Sequence, residues 1–302
     1  MSDESISELC ENISSNVHSL GFDDNPNHTA KEAIVIVPGN PGITGFYDTF
    51  AEEIYFKLDK KIPVLVTGHL GHQASHVDPP LQGNEHLYDL DGQVKNQIKN
   101  ILSTVPKDTN LYFIGHSIGC WMILEMLKLA NIKQRTRKCF MLFPTIERMS
   151  ESPNGKYFCS ATIRLYPILK FFVTLIYWLP EFVKGFLIRS FAKWKSYDKT
   201  MLSPINHYIN PVAIEKSFTL ALEEMRRVKE LDIQALQDNK DLIKMFYGAT
   251  DGWVPVKYYE EVCENVPGID AELDNKGIAH AFVLKSGKEM ASIVANWIRD
   301  IM

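Results

Sequence analysis

The chain has 302 residues, of which 45% are hydrophobic and 23% charged, which suits a large buried core and excludes a disordered or collagen-like chain. Its 32 Lys and Arg against 37 Asp and Glu give a net charge of −5, so nucleic acid, which demands a basic surface, is not an expected partner. Cys10, Cys120, Cys139, Cys159 and Cys263 are widely spaced with no CxxC pair, which excludes a zinc ribbon or disulfide framework and fits a reducing compartment.

The N-terminal stretch is acidic and polar, without the basic and apolar regions of a secretory signal, so the sequons at Asn12 and Asn27 are expected to stay unmodified. From there the chain alternates. Short apolar, β-branched runs at 33–37, 63–67, 111–114, 139–143 and 242–247 predict buried parallel strands. Helical spacing of apolar residues predicts helices over 46–58, 94–105, 121–129, 256–262 and 289–301. The fold class is therefore α/β, a mostly parallel central sheet with helices on both faces. The alternation stops between 144 and 236, about ninety residues, where a connection of about 2 to 6 would be ordinary. That stretch reads as a large helical cap insertion, leaving 1–143 and 237–302 as the core.

The strongest chemical signal is Gly115-His116-Ser117-Ile118-Gly119, a GxSxG motif directly after the strand at 111–114 and before a helix. This is the context of a nucleophile elbow, where small flanking residues let a strained turn lift the serine hydroxyl into a cleft. A serine needs a base, and the base needs an acid to hold its tautomer. In the order Ser, Asp, His, the candidates are Asp251, after the strand at 242–247, and His280, before the last helix. Taken singly, Asp251 could be an Asx turn and His280 an ordinary loop histidine. The developing oxyanion needs backbone donors, for which Ile118 and, in the loop Pro38-Gly39-Asn40-Pro41-Gly42, Asn40 are the candidates, since proline has no N–H. His69, His72, His76 and His86 are the one hint of a metal site, on a loop without helical register, and a structural loop is the competing reading; no metal is assigned. No Gly-rich phosphate loop occurs, so no cofactor is implied.

The segments PGNPG, FYDTF, GHLGH, GHSIG, LFPTI, GATDGWVP and GIAHAF, with the aromatic cap, together resemble the lipid droplet-associated hydrolase family of the α/β-hydrolase superfamily, over about residues 30 to 302. The resemblance implies a serine esterase on lipid droplets and the endoplasmic reticulum, facing the cytosol and acting on neutral lipid esters such as cholesterol esters or triacylglycerols. The loop at 38–40 departs from the wider superfamily, which commonly has His-Gly there. A rival reading is a droplet surface protein that keeps the fold to bind or organise partners and turns over little substrate.

Within the cap, 157–197 holds over a third of the chain's aromatic residues, with Arg164, Lys170, Lys184, Arg189, Lys193 and Lys195 against the single acid Glu181. Such a mixture predicts interfacial helices, with Phe171, Phe172, Trp178 and Phe182 as membrane contacts. The longest uncharged run, 171–180, is ten residues. A span needs about 20, so a shallow hairpin broken at Pro180 is expected. The alternative is a lid that buries these residues on the core.

Overall fold

Each of the five apolar runs forms a strand of one seven-stranded sheet in the computed structural model, which describes residues 17–22, 30–73 and 78–302. Cys10, Asn12, Asn27 and His76 lie outside the described residues. The strands are β1 (Val17–Leu20), β2 (Glu32–Val37), β3 (Val64–Thr67), β4 (Asn110–His116), β5 (Thr136–Leu142), β6 (Ile243–Tyr247) and β7 (Asp270–Leu273). Their order is β1-β3-β2-β4-β5-β6-β7, parallel throughout except for β1 against β3.

The main helices are α1 (Asp48–Lys57), α2 (Leu90–Thr104), α3 (Ile118–Leu127), α4 (Pro153–Tyr177), α5 (Glu181–Lys195), α6 (Leu202–Tyr208), α7 (Pro211–Arg227), α8 (Val256–Asn265) and α9 (Gly287–Arg299). A strand covered on both faces must be apolar at every position, and β2 shows it. Ala33, Val35 and Val37 enter one core with α2, α3 and α8, while Ile34 and Ile36 enter the other with α1 and α9. The strands β1 and β7 were not anticipated, because each is an edge only half buried and its sequence, VHSL or DAEL, has no continuous apolar run. Helix α2 starts earlier than the apolar spacing predicts because Asp89 caps it, accepting from the Gly92 N–H at 2.7 Å.

Helices α4 to α7 all lie between β5 and β6, inside the stretch read as an insertion. Ser152 caps α4 at Gly155 and Pro153 opens it; Asn210 caps α7 and Pro211 opens that one. One side of α4 is held on α7, with Tyr166 stacked on Phe218 at 3.7 Å between ring centroids and Lys170 paired with Glu215 at 2.8 Å. The opposite side is open. No residue of Ile163–Tyr177 is buried, and Phe171, Phe172, Trp178 and Phe182 are 59, 55, 78 and 76% exposed. Phe186, Phe191 and Trp194 extend this apolar face along α5. The lid alternative, in which these side chains pack on the core, does not hold. Two of the basic residues are engaged within the protein, Lys170 with Glu215 and Lys184, which is buried, with Glu181 at 2.6 Å.

At 25 residues, α4 is longer than the uncharged run suggested, and by length and composition alone it could cross a membrane, at about 37 Å for a rise of 1.5 Å per residue. Its docked side is fixed to α7, and leaving that contact would strip Tyr166 from Phe218 and Lys170 from Glu215.

Candidate active site

Ser117 stands between β4 and α3 with φ 54° and ψ −123°, the strained turn expected of an elbow. The strain is held by neighbours: the Ser117 N–H donates to the Leu142 carbonyl at 3.0 Å, and the Ser117 carbonyl accepts from the Cys120 N–H at 3.0 Å. A Cβ at Gly119 would lie 2.2 Å from the Val37 carbonyl oxygen, so only glycine lets α3 start this close to β2. Gly115 is less tight, a Cβ there lying 2.7 Å from the Ile123 side-chain tip and 3.0 Å from Cys120 Cα.

The structure brings Ser117, His280 and Asp251 together although they lie far apart in sequence. His280 Nε2 is 3.0 Å from Ser117 Oγ, and His280 Nδ1 is 2.6 Å from Asp251 Oδ2. A carboxylate can only accept, so Nδ1 carries the proton and Nε2 is free to accept from the serine hydroxyl. The Asp251 side chain is fully buried. Its second oxygen, Oδ1, accepts from the N–H groups of Trp253 at 2.7 Å and Val254 at 3.2 Å. Asp251 is thus both an Asx turn and the partner of His280, the two readings being compatible because each uses a different oxygen.

That division predicts the outcome of Asp251→Asn. The turn demands an acceptor at Oδ1, which leaves the new amide NH₂ facing His280 Nδ1 and imposes the wrong tautomer. Ester turnover should fall by about 10³- to 10⁴-fold with thermal stability nearly unchanged. Steady-state kinetics beside a thermal melt check this, and a near-normal rate would move the acid elsewhere.

The loop at 38–42 faces the serine, since a Cβ on Gly39 would lie 2.8 Å from Ser117 Cβ. Its N–H groups divide cleanly. Gly42 donates to the Gly39 carbonyl at 2.6 Å and Gly39 donates to the Tyr47 hydroxyl at 2.8 Å. The prolines have none, and this leaves the Asn40 N–H as the loop's candidate for an oxyanion, beside the Ile118 N–H, the other candidate, which as the first of α3 has no acceptor within its helix. The Asn40 side chain is spent on structure, its Nδ2 donating to the Ser217 carbonyl and to Glu224 Oε1, both at 2.9 Å and both on α7.

Glu224 is a component the sequence did not disclose, because a Glu on an amphipathic helix reads as solvated. Burial pushes its carboxyl up to about 8, only partly offset by the Asn40 bond. The unfolded chain releases this proton near 4.5, so between the two values the folded protein holds a proton that the unfolded chain has lost. The stabilisation is complete below the lower value and is lost as pH rises through the upper one. Glu224→Gln, neutral at every pH, should therefore gain in melting temperature relative to wild type from about pH 5 to about pH 8 and level off above that. Parallel pH dependences for the two proteins would show that Glu224 is ionised where it stands.

Thr145, in the LFPTI run, is also near the serine, with its Oγ1 3.4 Å from Ser117 Oγ. His69 and His72 do not converge on a metal-like set. Both are fully buried, their rings meet edge to face at 5.4 Å, and His72 Nδ1 donates to the Pro41 carbonyl at 2.6 Å, bracing the loop at 38–42 from behind. Burial holds both imidazoles well below their ordinary pKa. His86 is exposed, and among the described residues no three His, Cys, Asp or Glu side chains gather as a metal site would need.

The chain is similar in fold to solved hydrolases. A carboxylesterase of Nitrososphaera gargenis superposes with a TM-score of 0.65 at 14% identity, over 96% of this chain and 95% of that one. A hydrolase of Oleispira antarctica does so with a TM-score of 0.61 at 15% identity, over 99 and 98%. These likenesses show the α/β-hydrolase fold. A model of the family described as lipid-droplet associated hydrolase matches residues 30–283. Lipid droplet-associated hydrolases of Drosophila melanogaster, Gallus gallus and Homo sapiens are 42, 36 and 33% identical to it, over 90, 88 and 92% of this chain and 90, 84 and 88% of theirs. With the family model spanning most of the chain and relatives this similar along nearly their whole lengths, the chain belongs to the lipid droplet-associated hydrolase family.

Proposed function

We propose that the protein is a serine ester hydrolase of neutral lipid esters, cholesterol esters or acylglycerols, working at the surface of lipid droplets and the endoplasmic reticulum from the cytosolic side. The observation that carries this reading is His280 set between Ser117 Oγ and the buried Asp251 carboxylate. Ser117 Oγ attacks the ester carbonyl as its proton passes to His280 Nε2, and the tetrahedral oxyanion lies against the Asn40 and Ile118 N–H groups. Collapse expels the alcohol, which takes the proton from His280, and leaves Ser117 acylated. Water then gives a proton to His280 and attacks the acyl-enzyme, and the returning proton frees Ser117 and the fatty acid. Asp251 stabilises the imidazolium in both halves.

The relatives' name and the exposed apolar side of α4 and α5 support attachment to a droplet, with α4 lying at the boundary as a monotopic or peripheral element. The test is a fluorophosphonate probe on purified protein, with fatty acid release from phospholipid-coated emulsions of cholesteryl oleate or triolein. Ser117 should carry the label and fatty acid should appear. An unlabelled serine would instead favour a hydrolase-fold surface protein that binds or organises partners.

A further inference from the structure

Four of the segments quoted from the sequence, PGNPG, FYDTF, GHSIG and GIAHAF, each place one residue on a single buried hydrogen-bond chain outside the proton path of ester hydrolysis. Gly39 N is 2.8 Å from Tyr47 Oη, which is 2.6 Å from His116 Nδ1; His116 Nε2 is 2.9 Å from the carbonyl oxygen of His280. Both Tyr47 and His116 are buried, at 3 and 6% exposed, and Phe143 and Phe282 wall the imidazole.

Chemistry sets the direction of every link. The His280 carbonyl can only accept, so His116 Nε2 must carry a proton. Burial, with His280 nearby, lowers the His116 pKa to about 3, so the ring is neutral and Nδ1 is a bare acceptor. The Tyr47 hydroxyl then has to donate to Nδ1, and its oxygen is left to receive the Gly39 N–H. No group in the chain can reverse without setting a buried donor against a donor or a buried acceptor against an acceptor.

We propose that Tyr47 and His116 are positioning residues of the hydrolase, tying the backbone beneath the base His280 to the loop whose Asn40 N–H faces the oxyanion. The inference rests on the proposed serine hydrolase reading. Base and oxyanion donor lie on opposite sides of the reacting carbonyl, on loops from distant parts of the chain, and a misplacement of about 1 Å between such groups costs about 100-fold in rate. A rigid link between the two loops is what that tolerance requires. It also leaves the oxyanion to Asn40, since the N–H of Gly39, which packs against the serine, is spent on Tyr47.

The test compares wild type with Tyr47→Phe, which removes the hydroxyl and keeps the ring. On a short p-nitrophenyl ester, kcat should fall about 10- to 100-fold while KM changes by less than about 3-fold. Affinity for an alkyl trifluoromethyl ketone, which forms an oxyanion on Ser117, should fall in parallel with kcat. Affinity for the matching ether, which forms none, should not change. Should Tyr47→Phe not fold, His116→Ala and His116→Gln decide. The Gln amide can still donate to the His280 carbonyl, so it should recover several-fold in kcat over Ala, and equal rates would overturn the proposal. Nitrogen-15 NMR of labelled histidine should show His116 as the Nε2–H tautomer in wild type, and the Nδ1–H form or a charged ring at neutral pH would overturn the chain itself. A wild type inert to fluorophosphonate overturns the hydrolase reading and the positioning role with it. A reactive wild type matched by Tyr47→Phe in kcat and ketone affinity overturns the positioning role alone.

Discussion

Ser117→Ala should lower ester hydrolysis by about 10⁴- to 10⁶-fold, with fold and droplet attachment unchanged. In the proposed mechanism the hydroxyl is the attacking atom, the one held 3.0 Å from His280 Nε2, while the Thr145 hydroxyl bonds Ser117 Oγ at 3.4 Å. The packing cost is small. Alanine keeps the Cβ, suffers no more than serine at φ 54°, and retains the backbone bonds to Leu142 and Cys120 that hold the turn. The loss should fall on kcat, and fluorophosphonate labelling should vanish. Turnover within about 10-fold of wild type would remove Ser117 from the mechanism.

The other large effect concerns location. Replacing Phe171, Phe172, Trp178 and Phe182 together by Ser should release the protein from droplets into the cytosol. A fully exposed large apolar side chain contributes about 1.5 to 3 kcal/mol when taken out of water, so these four, 55 to 78% exposed, account for roughly 4 to 8 kcal/mol, or at least about 10³-fold in partitioning. A basic residue near an anionic surface is worth about 1 kcal/mol, and Lys170 and Lys184 are already committed to Glu215 and Glu181. Attachment should therefore survive about 1 M salt, which screens charge and strengthens apolar burial. All four residues are more than half exposed, so the variant should melt within a few degrees of wild type and its release can be attributed to the surface. Flotation with phospholipid-coated triolein droplets, beside microscopy of fatty acid-fed cells, measures this. A folded quadruple variant that still coats droplets would put the anchor elsewhere.

Much of the candidate site, the residues the structure brings together, was legible in the sequence because its signals are local. GxSxG after a short apolar run and before a helix, an Asp after a late strand and a His before the last helix are each readable within about ten residues of chain. The buried strands were legible for the same reason, as burial on two faces forces unbroken apolar runs such as 33–37. Edge strands escaped because half burial leaves no such run.

The composition of 157–197 likewise determined that an aromatic, basic and apolar surface must go somewhere, but not whether it faces the core or the outside. Only tertiary structure decided that, by docking Tyr166 and Lys170 on α7 and turning Phe171, Phe172, Trp178 and Phe182 outward. It alone also assigned the polar partners. Asn40 to Glu224, and Gly39 through Tyr47 and His116 to His280, join residues 184, 8, 69 and 164 positions apart. A hydrogen bond between distant residues leaves no periodicity and no spacing in the chain, since it depends on distance and direction in three dimensions, whereas the hydrophobic pattern and the turn chemistry of an elbow are written one neighbour at a time.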